Sequence, residues 1–460
     1  MTAREQALRC ETILGAEAVD ALARATVFLQ ERSTKELLEL VGQTVESLAL
    51  KHEAATKRSF PVSYGGGRPC DDDLLTGLGM FYVTQQGKVM LDCTSGHYQM
   101  TWGYNHPVMT AVAAEGMKVG VVWDNHSNIP SLPVKMLAER LVELAGDSGL
   151  DRVLLGVATG SVACGAALKI MLARYFNDRA REQFGPPVVL SLAGNYHGTD
   201  MVAQTMRGMW PGLLARMEPV QIELNDIEGL EAAFERYEGR VAGFWAEPIM
   251  MNREAIAVEP AFLQRARELC TEHGALMVID EIQTCFWYPD VFMFPSLGVE
   301  PDMVVVGKGM TAGFHPLAGL LYRHELDILE QYDAISTNGN ASLAALVGLC
   351  NLRLIERDRE RLEDVAQRHF DGLCGLADEF ADILEGINGR GFLAGMRFRE
   401  RDDALGFHKA AVERGLWVRA HAYHEGHRTV LTKYALVADE AIVDFALGAM
   451  RELLEARAWR

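Results

Sequence analysis

The chain has 460 residues, of which 49% are hydrophobic and 23% are charged. This composition is that of a globular protein with a large core, and the length indicates one large domain and one smaller one. The net charge of −19 argues against nucleic acid or an anionic membrane as a partner, because like charges repel.

The N-terminal twenty residues mix charged and apolar side chains and contain no signal-peptide core. No segment approaches the roughly 18 uncharged apolar residues of a membrane span. The eight cysteines form no C-x-x-C pair and are expected to be reduced and mostly buried. We therefore expect a cytoplasmic protein.

The first predicted elements are polar-faced helices over residues 1 to about 58. A Gly/Pro-rich stretch follows at 61–69, with three consecutive glycines at 65–67. Such glycines are able to cradle a phosphate. We favour a flexible loop instead, because no strand precedes the glycines and no Lys-Ser/Thr follows them.

Between residues 150 and 325, short apolar runs alternate with longer helical patterns. The predicted strands are 153–155, 188–192, 241–246, 275–279 and 303–306. Helices are predicted over 161–176 and from Pro260 to Gly274, where a proline in the first turn and a glycine past the end mark the boundaries. This alternation predicts an α/β fold with a mainly parallel sheet flanked by helices.

Beyond residue 345 the chain is predicted to form helices at 346–376, 404–414 and 439–456 with a few weak strands. We divide the chain into three segments. Residues 1–95 form an N-terminal helical segment and part of a small domain, 96–345 form the large domain that carries the site, and 346–460 form a C-terminal small α+β domain.

Polar residues collect where the predicted strands end. Glu247, the pair at 280–281 and Lys308 occupy such positions, and the turn at 196–198 follows another strand. In open α/β sheets, ligands bind outside the carboxyl ends of the strands. A lysine, carboxylates and a helix N-terminus in one crevice suit a cofactor that is anionic at one end and basic at the other.

Several short motifs occur in a characteristic order. They are W-G-Y-N-H-P at 102–107, T-G-S at 159–161, Y-H-G at 196–198, E-P at 247–248, D-E-I-Q-T at 280–284, K-G at 308–309 and S-T-N-G-N at 336–340. Each is weak alone, but their order and spacing are specific. Over roughly residues 80–440 the chain resembles the class III aminotransferases, pyridoxal 5'-phosphate (PLP) enzymes of fold type I.

The resemblance implies that Lys308 binds PLP covalently as an imine (a Schiff base), and a lysine in a partly dry site loses its charge readily. Asp280 would pair with the pyridine nitrogen and keep the ring an electron sink. Gln283 would hydrogen-bond the phenolic oxygen, and Glu247 belongs to the same cofactor-binding set. The residues alone are equally consistent with structural roles, a lysine at a strand end for Lys308 and an aspartate in a turn for Asp280.

Gly160 and Ser161 open an alanine-rich helix whose free N–H groups and dipole favour the cofactor phosphate. A simple serine N-cap is the structural alternative. The resemblance also implies that Tyr196 lays its ring on the cofactor with His197 beside it. A buried aromatic side chain in the core is the alternative for Tyr196.

The family is dimeric with shared sites, so Ser336 or Thr337 would reach the phosphate of the other subunit; counting back from 339–340 favours Ser336. The implied reaction moves an amino group between an amine or amino-acid donor and a keto or aldehyde acceptor. Lys308 would carry the proton shift as general acid and base. No metal is expected in the site.

Four departures from the family pattern bear on the substrate. Val162 replaces the usual glutamate after Gly-Ser, the aromatic-rich stretch at 285–288 replaces Gly-Phe-Gly-Arg, and 431–434 replaces the usual Pro-Pro-Leu region. Many family members carry a glutamate at the position of Asn252; an asparagine there is more similar to glutamate-1-semialdehyde aminomutases and β-amino-acid aminotransferases. Arg428 lies near the usual position of a carboxylate-binding arginine.

These departures keep two other functions open: an aminomutase or racemase, which Asn252 favours, and an inactive scaffold relative. Five aromatic residues suggest a hydrophobic substrate pocket or simply core: Trp102, Tyr104, Trp123, Trp287 and Tyr288. The histidines at 421, 424 and 427 have metal-like spacing, but they lie in a predicted loop, so we interpret them as structural or solvent-exposed.

Overall fold

The computed structural model describes residues 9–51, 73–125, 128–198, 206, 217–287, 289–330, 333–334, 336–421, 427–457 and 459. The glycines at 65–67, Tyr288 and His424 lie outside the described residues. So does the side chain of His421.

The described helices are numbered in chain order. They are α1 (Cys10–Leu14), α2 (Ala16–Gln30), α3 (Thr34–Leu40), the single turn α4 (Ser95–Tyr98), α5 (Pro107–Lys118), α6 (Leu132–Ala145), α7 (Gly160–Asn177), α8 (Ile227–Arg236), α9 (Pro260–Glu272), α10 (Ser342–Arg357), α11 (Arg359–Glu379), α12 (Arg401–Arg414) and α13 (Glu440–Ala456).

The described strands follow the same numbering. They are β1 (Leu74–Leu78), β2 (Phe81–Thr84), β3 (Val89–Asp92), β4 (Arg152–Val157), β5 (Val188–Leu192), β6 (Glu218–Ile222), β7 (Val241–Ala246), β8 (Ile249–Met250), β9 (Ile256–Ala257), β10 (Leu276–Asp280), β11 (Met303–Val306), β12 (Ala318–Tyr322), β13 (Leu384–Arg390), β14 (Leu393–Phe398), β15 (Leu416–Trp417), β16 (Arg419–His421) and β17 (Thr429–Lys433).

The central feature is a seven-stranded sheet in the order β4-β12-β11-β10-β7-β5-β6. Strand β12 pairs antiparallel with β11 and β4, while the pairs β11–β10, β10–β7, β7–β5 and β5–β6 are parallel. The predicted α/β fold with a mainly parallel sheet is confirmed. The parallel strands bring their carboxyl ends to one edge, which is where such sheets bind ligands.

Helices cover both faces of this sheet, as the nearly continuous apolar strands require. Alternate side chains along a strand point to opposite faces. Val189, Trp245, Val278 and Val305 pack in the cluster that contains the inner face of α7, whereas Leu190, Phe244, Ile279 and Val304 belong to the larger core on the opposite face. By the same alternation Asp280 lies on the α7 side, with Leu276 and Val278.

Two smaller sheets lie outside the large one. The antiparallel sheet β13-β14-β17-β16 packs against α11 and α12. In the sheet β1-β2-β3-β15, strand β15 pairs in parallel with β3, Leu416 opposite Leu91 and Trp417 opposite Asp92. The N-terminal and C-terminal parts of the chain are thus hydrogen-bonded together, while the domain boundaries at 95 and 345 stay a prediction.

Some details differ from the sequence-based expectation. The region 346–376 contains parts of two helices, because the chain breaks at Asp358 between α10 and α11. The described cysteines are free, and Cys93, Cys164, Cys270 and Cys285 are buried. Among the described helices, none is long and apolar enough to cross a membrane.

Candidate active site

The predicted site residues come together at the carboxyl edge of the large sheet. Glu247 directly follows β7, Asp280 ends β10, and Lys308 lies two residues after β11. The turn with Tyr196 and His197 follows β5. Because these strands are parallel, side chains from distant parts of the sequence meet at one edge.

Asp280 and His197 form a buried pair. The Nδ1 atom of His197 lies 2.7 Å from Oδ2 of Asp280, and the two residues are 1% and 2% exposed, respectively. The other carboxylate oxygen, Oδ1, accepts a hydrogen bond of 2.9 Å from the backbone N–H of Ile282. These contacts hold the Asp280 carboxylate in one orientation, because both oxygens have donors.

Glu247 links the Tyr196 turn to Gln283. Its carboxylate accepts hydrogen bonds from the backbone N–H of Tyr196 at 2.9 Å and from Nε2 of Gln283 at 3.1 Å. Burial raises the pKa of Glu247 to about 7, and the nearby Asp280 charge adds to the increase. Glu247 therefore positions two neighbouring site residues at once.

Lys308 is half-buried at the start of a 3-10 turn, and its backbone φ of +35° lies in the left-handed region. Non-glycine residues seldom adopt such values, and they cluster at functional sites. Its Nζ atom lies 5.8 Å from the centroid of the Tyr196 ring. Burial lowers the pKa of Lys308, although the charges of Asp280 and Glu247 oppose the shift. A depressed pKa gives a larger fraction of nucleophilic amine.

The N-terminus of α7 lies against both the Asp280 loop and the Tyr196 turn. A Cβ added at Gly160 would lie 2.6 Å from Cδ1 of Ile282, and one at Gly198 would lie 2.1 Å from Oγ of Ser161. The N-cap residue, Thr159, makes no side-chain hydrogen bond to the first turn. This 18-residue helix therefore presents the positive end of its dipole beside Asp280. At Gly160 and Gly198 the neighbouring atoms leave room for glycine only.

Ser336 and Thr337 occupy different surroundings. The hydroxyl of Ser336 accepts a hydrogen bond of 3.1 Å from the backbone N–H of Ala158, next to the start of α7. The side chain of Thr337 is exposed. The segment that contains them runs along the end of β4, where Asn340 N–H donates to the carbonyl of Leu155 at 3.1 Å. This segment thus lies near the α7 N-terminus in space, and Ser336 is the residue of the two whose hydroxyl bonds next to it.

The aromatic stretch after Asp280 is part of the core. Phe286 and Trp287 are 0% and 1% exposed, and Phe286 has a φ of +66°. The loop is anchored by buried Glu281, whose Oε1 accepts hydrogen bonds from Met293 N–H and Phe294 N–H, both 2.7 Å. The aromatic side chains of Phe286 and Trp287 are thus packed in the core, in the loop that follows Asp280.

The other aromatic residues have different environments. Trp102 is buried in the core, and Trp123 is 73% exposed. Tyr104 lines a cavity of about 530 Å³ and donates a hydrogen bond of 2.9 Å to Asp92. Among the four described aromatic residues, Tyr104 is the one that lines this cavity, and the hydrophobic substrate pocket stays a prediction.

The same cavity is bordered by His97 and Arg419. Nη1 of Arg419 donates a hydrogen bond to Nε2 of His97 at 2.7 Å. Partial desolvation lowers the pKa of His97 to about 4, and the charges of Arg419, Lys308 and Lys433 add to the effect. Lys308 does not line this cavity, but its charge acts on His97 at the cavity wall.

Two residues near the candidate site, Lys433 and Arg419, were not predicted from the sequence, and Arg428 lies elsewhere. Lys433 is fully buried beside the 283–287 turn, and Arg419 borders the cavity; only the unusual stretch at 431–434 gave a signal for the first. Arg428 instead pairs with Glu385 at 2.6 Å in the small β13–β17 sheet. Its guanidinium is engaged there rather than in the cavity wall.

The donor set fits PLP. A helix N-terminus suits its phosphate, a buried carboxylate suits its ring nitrogen, and a half-buried lysine suits its aldehyde carbon. Among the described residues, Nε2 of buried His197 has no hydrogen-bond partner, so this nitrogen is able to hydrogen-bond a bound group. The glycines at 160 and 198 leave space that side chains would fill.

The fold and the site define a PLP-dependent enzyme of fold type I. The sequence profile described as "Aminotransferase class-III" matches residues 73–454. The chain therefore belongs to the class III aminotransferase family, and PLP is its cofactor.

Relatives and solved structures agree with this assignment. The acetylornithine aminotransferase of Thermosynechococcus vestitus is 27% identical over 395 residues, covering 83% of this chain and 92% of the relative. A glutamate-1-semialdehyde 2,1-aminomutase of Rhodopirellula baltica is 28% identical over 331 residues, covering 65% and 70%. A PLP-bound amine transaminase from an uncultivated Pseudomonas species has a similar fold, with a TM-score of 0.72, 21% identity and coverage of 84% and 95%.

Proposed function

We propose that the chain transfers an amino group between an amine or amino-acid donor and a keto or aldehyde acceptor, with PLP held by Lys308. One observation carries the proposal. The half-buried amine of Lys308 and the buried carboxylate of Asp280 follow adjacent parallel strands, β11 and β10, at the ligand-binding edge of the sheet.

When bound, PLP withdraws electrons from the carbon that bears the substrate amine. Lys308 would hold the cofactor until the substrate amine replaces it, and its released amine would then move a proton at the substrate carbon as general base and acid. Because burial already lowers the pKa of Lys308, less free energy is needed to form the neutral amine that the first step requires. The Asp280 carboxylate, fixed by His197 and Ile282, stabilises a proton on the ring nitrogen.

The remaining predicted residues bind and orient the cofactor in this proposal. Tyr196 would pack on one face of the cofactor ring. His197 would act through its contact with the Asp280 carboxylate. Gln283 faces the phenolic oxygen and is oriented by Glu247. The phosphate takes the N–H groups at Gly160 and Ser161, where the helix dipole favours an anion.

The proposed assembly is a homodimer with shared sites. Ser336 or Thr337 of each subunit contacts the phosphate bound by the other. The exposure of Thr337 supports this role for the segment, as does its position along β4.

The substrate enters the cavity of about 530 Å³ in this proposal. The guanidinium of Arg419 at its wall favours a substrate with a carboxylate, since arginine recognises carboxylates by charge-assisted hydrogen bonds. A screen that pairs each amino acid with the corresponding simple amine tests this. We expect lower KM values for the carboxylate-bearing members, and equal values would contradict the assignment.

A Lys308→Ala variant tests the proposed function. The wild-type protein with PLP should show the visible absorbance band of the lysine-bound cofactor, and a suitable donor should remove that band. The variant should lack the band and lose turnover. A variant that keeps full turnover would overturn the proposal.

Aminomutase activity is the second candidate, supported by Asn252 and by the similarity to the Rhodopirellula aminomutase. The donor half-reaction separates the two. An aminotransferase is converted stably to its amine form by the donor alone, with release of a keto product. An aminomutase instead returns the amine to the same substrate molecule, so no keto product accumulates.

A further inference from the structure

Lys433 is an unusual residue for the interior of a protein. It ends β17 and is 0% exposed. Burying an ammonium group without a compensating partner is costly, so such lysines are rare outside functional sites. No carboxylate of the described residues forms a salt bridge with it, and the proposed mechanism does not use it.

The Lys433 side chain is held by the turn that contains Gln283. Its Nζ atom donates a hydrogen bond of 2.6 Å to the backbone carbonyl of Gln283 and lies 4.2 Å from the ring centroid of Trp287. Its backbone is also fixed, since its N–H donates to Cys93 at 2.7 Å and its carbonyl accepts from Ser95 Oγ at 2.6 Å. Lys433 therefore connects a rigid strand to the 283–287 turn.

This turn lies directly against the loop that carries Lys308. A Cβ added at Gly309 would lie 3.2 Å from the carbonyl oxygen of Cys285 and 3.3 Å from Nε1 of Trp287. The thiol of Cys285 also lies 3.9 Å from the carbonyl oxygen of Gly307. A contiguous path of packed groups thus runs from Lys433 through the turn to both neighbours of Lys308.

The charges of the two lysines also interact. Burial lowers the pKa of Lys433 well below its ordinary value, and the charge of Lys308 adds to the effect. The lowered pKa favours the neutral amine of Lys433, which still donates its hydrogen bond to the Gln283 carbonyl. The titratable groups around the two amines are Cys285, His97 and Tyr98 near Lys433, and Asp280, Glu247, Cys164 and Cys285 near Lys308.

We propose that Lys433 is a positioning residue for the reaction: its amine holds the Gln283–Trp287 turn, and with it the Gln283 side chain, in place beside the Lys308 loop. The inference rests on Lys308 being the residue that holds PLP. The two are tested separately, because Lys308→Ala removes the visible band altogether, whereas substitutions of Lys433 change only the pH at which that band titrates.

The test is a spectrophotometric pH titration of the PLP-loaded enzyme. Lys433→Met removes the hydrogen-bond donor, so the turn and the Gln283 side chain are no longer held. In the proposed function Gln283 stabilises the ionised phenolic oxygen, so Lys433→Met should raise the apparent pKa of the lysine-bound cofactor by about one unit, a tenfold change in the ionisation constant. Lys433→Gln and Lys433→Arg, which keep a donor, should titrate closer to the wild-type value.

Lys88→Gln is the matched control. The ammonium of Lys88 also donates to backbone carbonyls, those of Val412 at 3.2 Å and Glu413 at 3.1 Å, but these lie at the end of α12. Its titration should be that of the wild type. The proposal is overturned if Lys433→Met titrates at the wild-type pKa, if Lys433→Arg shifts as far as Lys433→Met, or if Lys88→Gln shifts equally. It also fails if neither Lys433→Met nor Lys433→Gln folds, because Lys433 is then only a structural residue.

Discussion

His197 Nδ1 lies 2.7 Å from Asp280 Oδ2, although 83 residues separate the two in sequence. His197 lies in the turn after β5, and Asp280 ends β10. These two strands are not neighbours, because β7 lies between them in the sheet. The contact therefore spans one strand and depends on the twist and register of the whole sheet edge. It places a fixed, buried carboxylate where the proposed ring nitrogen of PLP would need it.

Asp280→Asn should slow the donor half-reaction by about 10²–10³-fold, the usual cost of removing one preorganised electrostatic contact. The amide cannot hold a proton on the ring nitrogen, while Lys308 still binds the cofactor. Stopped-flow absorbance measures the rate, and the visible band reports that attachment remains. A half-reaction at the wild-type rate would show that Asp280 does not face the ring.

Gly198→Ala should weaken PLP binding and destabilise the fold by about 1–3 kcal/mol. The added Cβ would lie 2.1 Å from Ser161 Oγ, and the backbone φ of +128° is already strained for an alanine. Equilibrium dialysis of PLP and thermal unfolding measure the two effects.

Gly165→Ala is the matched control for that substitution. Gly165 lies in α7, the helix that carries Ser161, and a Cβ there would meet nothing within 4 Å. This variant should bind PLP normally and gain about 0.5–1 kcal/mol, because alanine is the better helix former. Equal PLP affinities for the two variants would contradict a tight approach at Gly198.

Glu247→Gln should change how stability depends on pH. The folded pKa of Glu247, about 7, lies above the ordinary 4.5, so the folded state binds an extra proton between these values. The wild type therefore loses stability as pH rises through this window, by up to about 3 kcal/mol, and the variant should not. Urea unfolding of the cofactor-free protein at pH 4.5 and 8 measures the difference.

The control for the Glu247 experiment is Glu228→Gln, on the exposed side of α8. It should retain the wild-type pH dependence. If Glu247→Gln also retains it, then Glu247 is already ionised throughout the window and the carboxylate is compensated by partners other than those described.

Mixing two inactive variants should restore activity if the sites are shared. The first variant carries Lys308→Ala, and the second carries Ser336→Ala and Thr337→Ala. In a mixed dimer, one site combines an intact Lys308 with intact hydroxyls from the partner. Activity above that of either parent, after subunit exchange, supports the shared site; activity equal to the parents' average would exclude it.

Much of the large sheet was predictable, and so was the location of its ligand-binding edge. The strands 188–192, 241–246 and 303–306 occur with the predicted bounds, because strands buried on both faces need continuous apolar runs that are visible in the sequence. Strand β12 was not predicted. Its antiparallel position between β11 and β4 follows from long-range pairing rather than from its own pattern.

The α/β class, the order of the motifs and the candidates Lys308 and Asp280 follow from the sequence alone, since these depend on local periodicity and on spacing along the chain. The folded structure sets which side chains meet. It paired His197 with Asp280, moved Arg428 to Glu385, and buried Lys433 beside the Gln283 turn. Such contacts depend on how strands and loops distant in sequence pack, and no local pattern encodes that packing.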